Sequence, residues 1–538
     1  MLSEISCEHF KQKKISFKSG LNVILGDDKG INSIGKSTAL MVVDFVFGGN
    51  SFLDHNAGAV REYGAHSYEF CFIFENLNYY FSRNTLSPDE VSICDQNYKL
   101  IKNISIDAYT ALLKDKYKLI GSVGSFRSLV NTYARIWGKS NYDIVKPLSS
   151  FPKQADAIAV TNLIDLFEHL SSILDAKTKA EKEIERFKIL RKSIKLEFIP
   201  KVTKTQHKEN IQKIVEIDLE LQKIKEGFSH ALTAYEALFN DKLFAMKMSR
   251  TQLLKNKEYS QNRINRLKHD VALSNENTKA NFSLITEFFP AANIDKISEI
   301  ENFHKKIGVI LKREFEAEIL TVVEQIDFFN VELDRIDSNI QNLLSQQGTP
   351  SDIFEKVFEI KQRSETAKQQ NELYETEVKM ASDVKTVKEN LQAMQLEILE
   401  SIAKKLNLGM RELTTKIFDN ARQSPTISFA TSNKYVFESP SDTGAGKSYI
   451  NLICLDLSVL SFSKLPVIVH DSILFKNTEP SAFSKLVDIY DTFEKQIFIS
   501  IDEGSKYGVK ALNTLRKNLA LEIDGENLLY TRDWRTKN

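Results

Sequence analysis

Three stretches of this 538-residue chain place apolar residues in alternating steps of three and four, and no other feature restricts the fold as much. The first runs Ile214, Ile217, Leu221, Ile224, Phe228, Ala231, Tyr235 and Leu238. The second is Val322, Ile326, Phe329, Leu333, Ile336, Ile340 and Leu343, and the third is Met380, Val384, Val387, Leu391, Met394 and Ile398. This spacing is the a/d seam of a supercoiled helix, which cannot bury its stripe without a partner helix. Twenty glycines and ten prolines in the whole chain leave few helix breakers;. The breaks fall at Pro200, at FFPAAN (288–293) and at QQGTPSD (346–352). FFPAAN lies midway between roughly equal helical arms, so the simplest construction is an antiparallel hairpin with its apex near 288–296. An arm of ~110 residues would reach on the order of 165 Å if extended. An ordinary bundle of amphipathic helices is the alternative, and it explains sustained heptads less well.

The flanks have a different texture. LNVIL (21–25), YEFCFIF (68–74), KYVF (434–437), LPVIV (465–469) and QIFISI (496–501) are short apolar runs separated by turn residues, an α/β pattern;. The division expected is 1–154 and 407–538 for the two α/β segments and 155–406 for the helical excursion. A hairpin returns the chain to its start, so one split head is more economical than two half-domains.

Composition narrows the function classes. Lys plus Arg and Asp plus Glu are each 72, so affinity for nucleic acid would need a local patch;. The segment Lys177–Lys208 is such a patch, with eleven Lys/Arg against four Glu. It reads either as a solvated helix face or as a nucleic-acid contact;. Cys7, Cys71, Cys94 and Cys454 form no CxxC, which argues against a zinc ribbon and for isolated buried thiols;. No apolar run reaches the ~20 residues of a membrane span, and the N-terminus lacks the order of a signal peptide, so a cytoplasmic protein without a membrane partner is expected.

GINSIGKST (30–38) satisfies G-x-x-x-x-G-K-[ST] between an apolar strand and a helical run, the context that motif requires;. Small residues let successive N–H groups face phosphates at a helix N-terminus. Gly30, Asn32, Ser33, Gly35, Lys36, Ser37 and Thr38 are therefore the expected phosphate contacts, with Lys36 on the β/γ-phosphates and the Ser37 hydroxyl on Mg²⁺. Gly26 already follows the strand directly, so DDKG (27–30) lengthens the loop, and Asp27 and Asp28 are expected to face solvent. A second GKS lies in TGAGKS (443–448). Ser441 stands where the first glycine of the full motif would be, so Thr443, Gly444, Ala445, Gly446, Lys447 and Ser448 read instead as a small-residue turn at a helix start, still an anion site;. LPVIVHDS (465–472) puts Asp471 at a strand end, where nucleotide-binding α/β folds hold the acid that orders Mg²⁺.

In this order the pieces resemble ABC-type ATPase heads of the SMC and RecN/RecF group: FKSGLNVILG (17–26) as opening strand, NSIGKST (32–38) as the end of Walker A, TGAGKS as signature motif and LPVIVHDS as Walker B. The insertion and the HDS sequence look like a bacterial family of SMC-like ATPases of unknown function, some placed in multi-gene conflict or phage-defence systems. The fold class implied is α/β, a split P-loop (ABC-type) ATPase head with an inserted antiparallel coiled-coil hairpin. The resemblance also implies ATP and Mg²⁺ as cofactors and catalytic roles for Lys36 and Asp471. It implies an ATP-dependent homodimer, with the Thr443–Ser448 turn of one head facing the γ-phosphate on the other. Its coils would engage DNA or a partner protein from the same operon, in antiviral defence or DNA maintenance.

Three departures stand out. Ser472 occupies the position of the usual catalytic glutamate, which implies slow hydrolysis or a nucleotide-binding scaffold. A shifted alignment would instead make Asp471 the base. Asp502, followed by Glu503, stands where a switch histidine is usual, and no CxxC marks the apex, so a zinc hook is not available; a Q-loop glutamine is not evident either, Arg135 lying roughly in its place.

Overall fold

The computed structural model describes residues 1–27, 35–227, 241–276, 294–347, 351–439 and 445–532. It divides into two compact units, Met1–Phe187 with Ala381–Asn538, and Lys188–Met380.

The first unit is the α/β head. Its central sheet contains β3 (Leu21–Leu25), β8 (Ala134–Arg135), β11 (Val467–His470), β12 (Gln496–Ile501) and β13 (Leu519–Glu522) in the order β13-β3-β12-β11-β8. Every pairing in it is parallel. β3 comes from the beginning of the chain yet sits between β12 and β13 from its end, and β8 lies beyond β11. Neither terminal segment can build this sheet alone. All five residues of β3 are buried, as are all of β11 and β12, which matches the continuous apolar character of parallel strands covered on both faces;. Buried Asn22 is the polar exception in β3: its amide bonds the backbone of Lys18 and Gly20.

A second, antiparallel sheet runs β2-β1-β4-β5-β6-β7, from β1 (Leu2–Ser6), β2 (Lys14–Ser16), β4 (Ser67–Phe74), β5 (Leu77–Asn84), β6 (Glu90–Cys94) and β7 (Leu100–Ser105). A small hairpin, β9 (Thr426–Thr431) and β10 (Lys434–Glu438), completes the strands of the described residues. Aromatic rings bind the layers together. Phe498 of β12 meets Phe17 edge-on at 5.2 Å and Phe47, just past the helix Lys36–Val46, at 6.3 Å; Phe47 in turn meets Phe72 of β4 at 5.3 Å;. The Lys36–Val46 helix ends on a buried guanidinium: Arg83 donates to the carbonyls of Phe45 and Gly49, satisfying groups a helix C-terminus leaves open;. All four cysteines are buried and free, as their spacing suggested.

The second unit is helical. Within it Leu243 packs with Ile336 and Ile340, while Ile264 packs with Val322 and Ile326. Numbers rise on the helix Asp241–Glu276 as they fall on Ile294–Gln347, so the two run antiparallel. His207 facing Glu375, Asn210 bonding Gln370 and Glu220 facing Arg363 follow the same trend between Lys204–Gly227 and Ser351–Phe418. The second seam is thus a buried stripe: Val322, Ile326, Leu333, Ile336 and Ile340 are each under a tenth exposed. The break at Pro200 falls between the helices Leu170–Lys195 and Lys204–Gly227. The apex expected near 288–296 lies largely outside the described residues. All eleven basic side chains of Lys177–Lys208 are exposed. No helix of the described residues is long and apolar enough to cross a membrane.

Candidate nucleotide site

The site forms where the ends of β3, β12 and β11 meet the N-terminus of the helix Lys36–Val46. That helix starts from Gly35, whose φ of 109° is in the left-handed region; a Cβ there would also lie 2.6 Å from Leu529 Cβ;. Gly26, at the end of β3, has a different role. A Cβ on it would meet the Asp502 carbonyl at 2.6 Å and the Lys36 side chain at 2.9 Å, so only glycine leaves the lysine its path across the strand end. Lys36 is 7% exposed, and its Nζ lies 3.3 Å from Asp502 Oδ1. Lys476 stands 4.0 Å from the other oxygen of Asp502.

Asp471 is fully buried at the end of β11. Its Oδ1 accepts from Ser37 Oγ at 3.0 Å, Ser500 Oγ at 2.7 Å and the Ser472 amide at 2.7 Å; its Oδ2 accepts from the Trp137 amide at 2.9 Å. The carboxylate and the Ser37 hydroxyl therefore sit side by side across 434 residues of sequence. Two hard oxygen donors at a helix start fit Mg²⁺, which takes one or two protein oxygens and completes its shell with water and phosphate. This arrangement makes Asp471 the hydrogen-bond partner of Ser37.

Other expected residues are placed less simply. Gly30, Asn32, Ser33, Asp28, Thr443 and Gly444 lie outside the described residues. Ala445, Gly446, Lys447 and Ser448 form the first turn of the helix Ala445–Phe462. The Thr38 hydroxyl donates to Asn56 Oδ1 at 2.9 Å. Asp27 is partly buried, where a solvent-facing side chain was expected.

Arg135 departs from its expected place altogether. Its side chain is fully buried behind β11, donating from Nη2 to Asp456 Oδ1 at 2.7 Å and to the Pro147 carbonyl at 2.8 Å, with Nε on Asp456 Oδ2. It is the amide of Trp137, two residues later, that reaches the site.

Asp456 also meets His470 Nε2 at 3.0 Å, and His470 Nδ1 lies 2.6 Å from the Tyr490 hydroxyl. This pattern assigns a neutral ring that donates from Nε2 and accepts at Nδ1. Burial holds His470 below the usual imidazole range, with Asp456 opposing and Arg135 reinforcing the shift. Burial pushes Asp456 upward, but Arg135 and the hydrogen bonds outweigh it and hold the carboxyl below its usual range. Arg135, Asp456 and His470 each interrupt an apolar run, in YARIW, ICLDLSV and VIVHD. Such isolated polar residues are the signal that a buried network exists, although the sequence does not pair them.

A pH dependence follows from His470. In the unfolded chain imidazole takes its proton near pH ~6.5, and in the fold it does so at lower pH;. Between these points the unfolded state holds more protons, so stability falls as pH drops below about 6.5, by up to about 1.4 kcal/mol per pH unit. His66, also lowered chiefly by burial, acts in the same direction. Urea midpoints measured from pH 7.5 to 5.5 should fall, and His470→Gln should flatten the curve to the share left by His66 and by the Met1 amino group, which burial lowers to about 6. An unchanged slope in that variant would contradict the assignment.

Residues 402–528 match a family model described as an uncharacterised protein conserved in bacteria (DUF2326). No curated protein matches the chain. Among solved structures, the chain is similar to an Smc head domain with a coiled coil and joint from Pyrococcus yayanosii, at 12% identity and a TM-score of 0.41, covering 93% of this chain and 92% of that one. It is also similar to an Smc head domain with an extended coiled coil, bound to the C-terminal domain of ScpA, from Pyrococcus furiosus, at 11% identity and a TM-score of 0.38, covering 96% and 91%. The chain is thus a mixed α/β head, its parallel sheet built from both terminal segments, with a helical segment inserted between them in sequence.

Proposed function

We propose that this chain is an SMC-like ATPase whose heads pair when ATP binds and separate after hydrolysis, moving a helical hairpin that engages DNA or a partner protein. The observation that supports this reading is the meeting of Lys36, Ser37 and Asp471 at the end of one parallel sheet. Lys36 holds the β/γ-phosphates from its place beside Asp502;. Ser37 and Asp471 hold Mg²⁺, which supplies neutralisation of the phosphate charge. The Ser500 hydroxyl and the Ser472 and Trp137 amides keep the Asp471 carboxylate oriented before any ligand arrives;. The helix Ala445–Phe462 of a second head supplies an N-terminus to the γ-phosphate, making the site composite. The exposed basic stretch Lys177–Lys208 is the DNA contact in this reading, and DNA maintenance or antiviral defence is the setting the resemblance suggests.

Particle mass by light scattering, with and without ATP and Mg²⁺, tests head pairing. A larger species is expected only with nucleotide, and only while Lys36 is intact; an unchanged monomer throughout would sink the composite site. The second reading, a nucleotide-binding scaffold, is favoured by Ser472. ATP turnover no greater than that of Lys36→Ala would support the scaffold. For the hairpin, DNA binding that weakens with salt and disappears when the basic stretch is neutralised supports the DNA reading. Absence of binding at low salt favours a protein partner.

A further inference from the structure

Ser472 cannot take a proton from water at neutral pH, so if this site hydrolyses ATP another group must orient and deprotonate the attacking water. Carboxylates of described residues at the strand ends of the site include Asp27 after β3, Asp471 after β11, and Asp502 and Glu503 after β12. Asp471 accepts four hydrogen bonds and faces Ser37, which commits it to the metal. Asp502 and Glu503 follow β12, the strand between β3 and β11. Of these two, Asp502 has an oxygen 3.3 Å from Lys36 Nζ. An ammonium–phosphate hydrogen bond is about 2.8 Å. A phosphate oxygen held by Lys36 would thus lie at most about 6 Å from that carboxylate oxygen, close to the roughly 5.5 Å that one bridging water spans. Asp502 is 24% exposed, open enough for water to reach, and Lys476 at 4.0 Å tempers its repulsion toward a triphosphate;.

We propose that Asp502 is the carboxylate that activates water in this site, the role Ser472 does not fill. The inference rests on the ATPase reading above. In the step, the water oxygen bonds to the γ-phosphorus while its proton passes to Asp502. The bond from that phosphorus to the β–γ bridging oxygen breaks, and ADP leaves with the electron pair. Asp502 then returns the proton to phosphate or solvent. Before nucleotide binds, the same carboxylate is the counterion of Lys36, so one residue serves both states.

The test uses the full chain and ATP with Mg²⁺. Turnover, binding of a fluorescent ATP analogue and particle mass are measured for the wild type and for Asp502→Asn, Asp502→Glu and Glu503→Gln, with thermal melts confirming that each folds. Asp502→Asn is expected to lose turnover by about 10²- to 10⁴-fold. It should bind nucleotide at least as tightly as the wild type, having lost the competing anion, and should accumulate the nucleotide-bound species. Asp502→Glu should recover part of the rate, and Glu503→Gln should stay close to wild type. Turnover in Asp502→Asn within twofold of wild type overturns the proposal, and so does loss of nucleotide binding together with turnover, which would make Asp502 a structural partner of Lys36. A wild type that binds ATP without turnover overturns it too while leaving nucleotide binding intact. A wild type that binds no ATP instead defeats the underlying reading.

Discussion

Arg135→Ala is expected to destabilise the head by about 3–5 kcal/mol, the cost of removing one member of a buried ion pair. Arg135 and Asp456 are both fully buried, and the guanidinium meets both carboxylate oxygens. Truncation leaves Asp456 in the interior with His470 as its remaining partner, and burial already disfavours a charged imidazole there. The backbone carbonyls of Asn141 and Pro147 lose their donors as well. Urea unfolding followed by far-ultraviolet circular dichroism measures this. The pair Arg135→Met with Asp456→Leu should recover much of the loss, since removing both charges also removes the desolvation penalty. What remains is the unpaired His470 nitrogen together with the Asn141 and Pro147 carbonyls, which lack their donor in the double variant too, about 1–3 kcal/mol for each group;. A single-variant cost below about 1 kcal/mol would show that the network does not hold the sheet together. The consequence reaches function: Asp456 lies on the helix Ala445–Phe462, His470 directly precedes Asp471 and Arg135 precedes Trp137, so the network joins three elements of the site.

Asp471→Asn is the second large effect. The carboxylate accepts from Ser37, Ser500, Ser472 and Trp137. An amide of the same shape turns an NH₂ toward one set of these donors, leaving at least one buried donor without an acceptor, about 1–3 kcal/mol. It also removes the charge that would hold Mg²⁺. Nucleotide affinity in the wild type should therefore fall when Mg²⁺ is chelated, whereas in Asp471→Asn it should be weak and indifferent to Mg²⁺. Titration of a fluorescent ATP analogue with and without EDTA distinguishes these cases; retained Mg²⁺ dependence in the variant would remove Asp471 from the metal site.

Local chemistry carried much of the reading. LNVIL and QIFISI became fully buried parallel strands because continuous apolar runs suit a sheet covered on both faces;. The Val322–Leu343 spacing became a buried helical stripe because period 3.5 leaves one face apolar;. Arg135 was misplaced because chain position indicates which loop a residue precedes, not which way its side chain turns, and a buried carboxylate 321 residues away captured it. Asp502 could be noticed as a departure from a pattern, but its approach to Lys36 depends on β12 lying beside β3.

The GINSIGKST motif, the strand-end acid at 471 and the helical seams are properties of neighbouring residues, and periodicity and spacing suffice to state them. Strand order is different in kind. A parallel sheet is assembled from segments hundreds of residues apart, and the choice to seat β3 between β12 and β13 is made by side-chain packing across the layers rather than by any local preference. That choice alone brings Ser37 to Asp471 and Lys36 to Asp502.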